Sequence, residues 1–143
     1  IDKSSANLFV INELNSTMSV FNILSDTVTV KQTVSTLPEG YAEKSYCADM
    51  HLSRNGKKIY GSNRGHNSIV TFRVGADGTL SESSHRDCGG NWPRNFAVSP
   101  SGKFFLVANQ RSNAISVVND GAGSADDIPG LSFNAPSCVR FVK

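Results

Sequence analysis

The sequence predicts an all-β fold: a β-propeller of four-stranded antiparallel blades, present as an incomplete part of a ring. Three observations lead there. First, a unit made of a strand end, an Asn, a polar loop and a second strand recurs at Asn12, Asn63 and Asn109, 51 and 46 residues apart. Second, short runs between these markers alternate apolar and polar residues with period two, as a half-buried strand does. Third, no stretch carries the apolar i, i+3, i+4, i+7 stripe of a helix. Four strands in about 46–51 residues is blade length.

Residues 8–12 form an apolar run that reads as a buried strand, and residues 18–24 alternate as a second. Asn15, Ser16 and Thr17 turn the chain between them. Residues 27–34 alternate through Val28, Val30 and Val34, and the breakers Leu37-Pro38-Glu39-Gly40 follow. A second cycle places strands at 47–52, 58–62 and 68–74, a polar outer strand at 80–86, and turns at 53–56 and 75–78. A third cycle places strands at 94–98, 104–108 and 114–118, with a turn at 99–102. Gly56 and Gly102 each stand seven residues before an Asn of the repeat. Residues 119–130 are rich in Gly, Asp and Ser and read as loop, 131–134 as a weak outer strand, and 138–142 as the first strand of a fourth cycle.

The predicted units are 1–45, a blade lacking its first strand; 46–91, a complete blade; and 92–143, a blade plus the first strand of the next. About three blades are too few to close a ring, which takes at least about four. The remaining blades are expected from a missing N-terminal part or from another chain. The opening Ile1-Asp2-Lys3, without a start Met, fits a fragment or a processed product.

At 143 residues the chain can bury a core. A net charge of +2 is too small to argue for nucleic acid or an acidic membrane. No apolar run reaches membrane-span length, and no segment resembles a signal peptide. Cys47, Cys88 and Cys138 show neither a CxxC nor a Cys/His metal spacing. Their odd number in a cysteine-poor chain favours reduced thiols and a cytoplasmic origin. No serine stands in a GxSxG elbow, and no P-loop or Rossmann glycine pattern occurs. The expectation is chemistry without cofactor or metal.

Antiparallel connection sends alternate loops to opposite ends of a blade. The turns at 53–56, 75–78 and 99–102 share one end. The loops after each repeated Asn share the other with those that lead into the first strand of each blade. That second end gathers Glu13, Tyr46, Asp49, Arg64, His66, Trp92, Arg94 and Gln110. Function on a rigid frame belongs to such loops.

Several of these runs resemble one family. They are Asn12-Glu13-Leu14-Asn15-Ser16-Thr17, Ala48-Asp49-Met50-His51, Ser62-Asn63-Arg64-Gly65-His66-Asn67-Ser68-Ile69, Trp92-Pro93-Arg94-Asn95-Phe96-Ala97 and Val107-Ala108-Asn109-Gln110. Together they resemble the lactonase family of seven-bladed β-propellers. That family includes 6-phosphogluconolactonases and the fungal 3-carboxy-cis,cis-muconate lactonizing enzyme. The likeness spans nearly the whole chain and corresponds to the C-terminal part of a member. It implies a small anionic substrate, most readily 6-phosphogluconolactone for hydrolysis, with carboxymuconate cyclisation as the alternative. A non-catalytic propeller binding module is the reading from a different class. The family's site uses a glutamate, arginines and a histidine without metal. By motif, Glu13, Arg64 and Arg94 stand as the catalytic candidates. A further catalytic histidine of the muconate enzyme is expected in a blade outside this chain.

Each candidate has a plainer alternative. Arg64 and Arg94 suit a bidentate grip on phosphate or carboxylate, or an ion pair with Asp49 or Glu13. Glu13 suits a general base, or an exposed loop carboxylate. Asp49, His51, His66 and Gln110 are carried as candidate substrate-binding residues. Asp49 and His51 share a strand face and could instead form a buried pair that orders nearby loops. His66 could be an exposed loop residue, and Trp92 is expected to pack at a blade junction. The repeated Asn residues are expected to bond nearby backbone where the chain turns.

Overall fold

A computed structural model describes residues 7–23, 26–121 and 130–142. They form three antiparallel sheets. The first holds β1 (Asn7–Asn12), β2 (Thr17–Ile23) and β3 (Val28–Ser35) in that order. The second holds β4 (Tyr46–Leu52), β5 (Lys58–Arg64), β6 (Ser68–Val74) and β7 (Leu80–Asp87). The third holds β8 (Pro93–Val98), β9 (Phe104–Asn109), β10 (Ala114–Asn119) and the short β11 (Leu131–Ser132). Every strand pairs with its chain neighbour, so each sheet is a meander. This is the predicted all-β propeller architecture.

The period-two runs explain the layers. In the first interior, Phe9, Met18 and Val20 meet Ile59, Val70, Phe72 and Leu80 of the second sheet. In the second, Tyr60, Ile69 and Cys88 meet Phe96, Phe105 and Val107 of the third. Tyr60 and Phe105 stack edge to face at 4.9 Å, and Phe96 and Phe105 at 5.7 Å. Burying each large side chain contributes roughly 2 kcal/mol. Gly61 lets the first two sheets approach, because a Cβ there would lie 2.9 Å from Ile11 Cδ1.

Two details differ from the sequence reading, and parts of two predicted segments lie outside the described residues. Residues 138–142 join no ladder; they are held through Val139 N–H, which donates to Asn95 Oδ1 at 2.7 Å. A single 3₁₀ turn, Gln110–Ser112, follows β9 among the described residues. Within the reading of 119–130 as loop, residues 122–129 lie outside the described residues, as does Leu24 of the expected second strand.

The repeated Asn residues reach further than nearby backbone. Asn12 keeps to its own hairpin, donating to Thr17 Oγ1 at 3.0 Å and Ser19 Oγ at 2.9 Å. Asn63 instead grips Thr36, just past β3 of the preceding sheet. Its amide donates to Thr36 O at 2.8 Å, and its carbonyl accepts from Thr36 Oγ1 at 2.8 Å. Asn109 repeats this grip on Cys88 O, just past β7, at 2.9 Å. These side chains stitch one blade to the next. Four residues further on from each Asn, Ser16, Asn67 and Asn113 adopt φ of 48°, 56° and 51°. Short polar side chains tolerate that left-handed turn best.

Candidate active site

The innermost strands β4 and β8 carry matching irregularities. The register of β4 against β5 shifts between Cys47 and Met50, and that of β8 against β9 between Pro93 and Asn95. A bulge re-aims the side chains at the shift. Here it brings Ala48, Asp49, Arg94 and Asn95 onto one polar cleft of about 270 Å³, together with Glu13, Arg64 and Ser137. The three candidate catalytic residues, Glu13, Arg64 and Arg94, therefore converge, and Asp49 joins them.

Arg64 ends β5, and its side chain is only 6% exposed. Its Nη2 donates to Glu13 Oε1 at 2.5 Å and to Cys47 O at 2.9 Å. Its buried Nε has no hydrogen-bond partner among the described residues. Glu13 is 61% exposed at the side chain, on the loop between β1 and β2. That loop is anchored by Cys47 N–H donating to Glu13 O at 3.1 Å. The ion pair foreseen as the plainer alternative thus exists, and it stands at the cleft. Arg94 is exposed and makes no ion pair among the described residues.

Asp49 is fully engaged. Its Oδ2 accepts from His51 Nε2 at 3.0 Å, Asn95 Nδ2 at 2.5 Å and Phe96 N–H at 3.1 Å, and its Oδ1 accepts from Met50 N–H at 2.9 Å. Burial pushes the Asp49 carboxyl up. The His51 hydrogen bond and charge, with the Phe96 and Met50 amides, outweigh burial and hold it below its ordinary value. The residue joins β4 to β8, and Asn95 passes the connection on to Val139. His51 lies behind Asp49, edge-on to Phe96 at 4.7 Å, and does not line the cleft.

His66 lies apart from the cleft. Its Nδ1 contacts Ser68 Oγ at 2.7 Å, and its ring meets Tyr41 at 4.7 Å and His85 at 5.6 Å. Burial, then His85, holds its imidazole below the ordinary value, against the opposing effect of Asp87. Gln110 opens the 3₁₀ turn, and its backbone N–H donates to Trp92 O at 3.1 Å. Sequence reasoning did not single out Asn95 or Ser137. The signal for Asn95 was available, since it occupies in the third repeat the place Asp49 holds in the second. Among the described residues, no group of three or more His, Cys, Asp or Glu could hold a metal ion. No helix there is long and apolar enough to cross a membrane.

Stacked antiparallel meanders of three and four strands, with the innermost strands bordering a polar cleft, are the architecture of a β-propeller. The chain belongs to the family described as Lactonase, 7-bladed beta-propeller, which matches residues 2–141. It is 42% identical over 113 residues to a 6-phosphogluconolactonase of Formosa agariphila, covering 75% of this chain and 31% of the relative. It is 31% identical over 109 residues to a 6-phosphogluconolactonase of Erwinia tasmaniensis, covering 76% of this chain and 33% of the relative. The chain thus spans about a third of the length of these curated relatives. Its fold matches the structure of a periplasmic gluconolactonase of Pseudomonas aeruginosa with a TM-score of 0.79 and 29% identity, over 95% of this chain and 42% of that one.

Proposed function

We propose that this chain belongs to a lactonase that hydrolyses 6-phosphogluconolactone or a similar small anionic lactone. The carrying observation is the meeting of Glu13, Arg64 and Arg94 on one cleft. The two relatives named 6-phosphogluconolactonase support the substrate class. In this reading Arg94 takes the anionic group, because its guanidinium is exposed and without an ion pair among the described residues. Arg64 is pre-oriented by Glu13 and Cys47 O. It stabilises the oxyanion that develops as water adds to the lactone carbonyl. Glu13 Oε1 holds Arg64, and its other oxygen accepts the proton of the attacking water. The C–O bond of the ring then breaks, and the ring oxygen leaves as a hydroxyl after taking up a proton. Further blades, from the same polypeptide or another chain, complete the ring around this cleft. The free thiols of Cys47, Cys88 and Cys138 support a reducing, cytoplasmic setting.

The test is Arg94→Ala in the intact protein, assayed on 6-phosphogluconolactone. The expected result is a rise in KM of about tenfold or more. Undiminished hydrolysis would remove Arg94 from the anion site. A wild-type protein without lactone turnover would point instead to a binding module.

A further inference from the structure

Trp92 lies outside the cleft lining, yet it touches the most buried cation of the site. The Cζ of Arg64 stands 5.4 Å from the Trp92 ring centroid, and that of Arg111 stands 3.3 Å from the same centroid. The indole therefore carries two guanidinium contacts. One comes from the buried Arg64 of β5, the other from the exposed Arg111 of the 3₁₀ turn in the next repeat. Guanidinium ions are drawn to the face of an indole, and the attraction strengthens where water is excluded.

The backbone of Trp92 is held in an unusual state. Its φ is +68°, a left-handed conformation rare for a bulky side chain. Contacts from both repeats enforce it. Trp92 N–H donates to Asn67 Oδ1 at 2.9 Å, and Trp92 O accepts from Gln110 N–H at 3.1 Å. Beside it, Arg111 N–H donates to Asn91 O at 3.2 Å. Strain of this kind persists only where the surroundings over-determine it, and it concentrates near functional sites. Arg64 itself has few fixing bonds. Its Nη2 makes the contacts to Glu13 and Cys47 O, while its Nε goes without a partner among the described residues. Two contacts from a single nitrogen set where the guanidinium sits but leave the tilt of its plane to its packing neighbours. A ring face beside it fixes that tilt.

We propose that Trp92, backed by Arg111, is the positioning residue that fixes the Arg64 guanidinium for the oxyanion that develops on the substrate. The inference rests on the lactonase reading above and adds a residue to it. Trp92 acts through Arg64 and does not touch the substrate. It also makes the oxyanion site depend on two adjacent repeats, because the loop that bears Trp92 is held by the 3₁₀ turn of the third sheet while its ring serves a side chain of the second.

The test compares Trp92→Leu, Trp92→Phe and Arg64→Ala, singly and with Trp92→Leu combined with Arg64→Ala, in the intact protein. Turnover of 6-phosphogluconolactone is read alongside calorimetric binding of 6-phosphogluconate. Trp92→Leu is expected to lower kcat about tenfold with a smaller change in KM. Trp92→Phe, which keeps an aromatic face, is expected to hold kcat within about threefold of wild type. In the Arg64→Ala background, Trp92→Leu should add less than about twofold, because the side chain it positions is gone. An equal effect of Trp92→Leu with and without Arg64 would overturn the positioning role. So would a Phe variant no better than Leu. A wild-type protein that neither hydrolyses the lactone nor binds 6-phosphogluconate overturns the lactonase reading itself, an outcome separate from either of those.

Discussion

The second and third sheets share a frame of turns and Asn grips, and several of the positions where they differ border the cleft. An offset of 46 residues lays one on the other. Under it Gly56 matches Gly102, and both have φ of +72°. Ser53 N–H donates to Lys58 O at 2.8 Å, and Ser99 N–H to Phe104 O at 2.9 Å. Asn63 matches Asn109, and each grips the exit of the preceding sheet's outer strand. The same offset pairs Ala48 with Arg94, Asp49 with Asn95 and Arg64 with Gln110. Five of those six residues line the cleft, and the sixth, Gln110, holds the Trp92 loop through its backbone N–H. The turns and the grips between sheets need the same residue in both repeats. A site that meets an asymmetric substrate needs different ones.

The largest expected effect tests the shared frame. Asn63 is fully buried; it donates to Thr36 O and Ser68 Oγ and accepts from Thr36 Oγ1. Asn109 is equally buried but donates only to Cys88 O and Ser116 Oγ, and its Oδ1 has no partner among the described residues. Asn63→Ala should therefore lower stability by about 3 kcal/mol and Asn109→Ala by about 2 kcal/mol, read by urea unfolding. Equal losses, or a larger loss at Asn109, would break the equivalence of contact and cost.

The strands were legible because alternation and a repeat are local properties. The joining of Glu13, Arg64 and Arg94 was legible from the parity of antiparallel loops, which needs no distances. What stayed hidden depends on partners far along the chain. Thr36 is 27 residues from Asn63, so the grip between them leaves no local mark. The bulges of β4 and β8 are register shifts against a neighbouring strand, and they decide which side chains face the cleft. Residues 138–142 show why alternation alone can mislead. Their pattern suits a strand, but they pair with no ladder and are held through a side chain, Asn95.

A middle-sized effect separates Asp49 from its counterpart Asn95, which carries no titratable group. The folded Asp49 carboxyl lies below its ordinary value of 3.8, so the unfolded chain takes up the proton first as pH falls. Its contribution is present above about pH 3.8 and is lost as pH falls through the lower folded value. Asp49→Asn should cost about 1–2 kcal/mol at neutral pH. The gap from wild type should shrink once the pH drops below 3.8. Urea unfolding at pH 7 and near pH 3 checks this. A gap that widens in acid would mean that the depressed carboxyl is not what joins β4 to β8.

The smallest effect should be the same in both repeats. Gly56 and Gly102 share φ of +72°, and a Cβ added at either would meet nothing within 4 Å. The cost of Ala is therefore backbone conformation alone, about 1 kcal/mol at each. The two variants should agree within about 0.3 kcal/mol and add when combined, since Gly56 N–H and Gly102 N–H each donate within their own turn, to Ser53 O and Ser99 O. Both turns lie at the opposite end of β5 and β9 from Arg64 and Asn109, so KM for the lactone should stay at the wild-type value. Equal stability losses with unchanged KM would separate frame from cleft within one repeat. A shift in KM from Gly102→Ala would instead mean that strain at the turn end reaches Arg94 along β8.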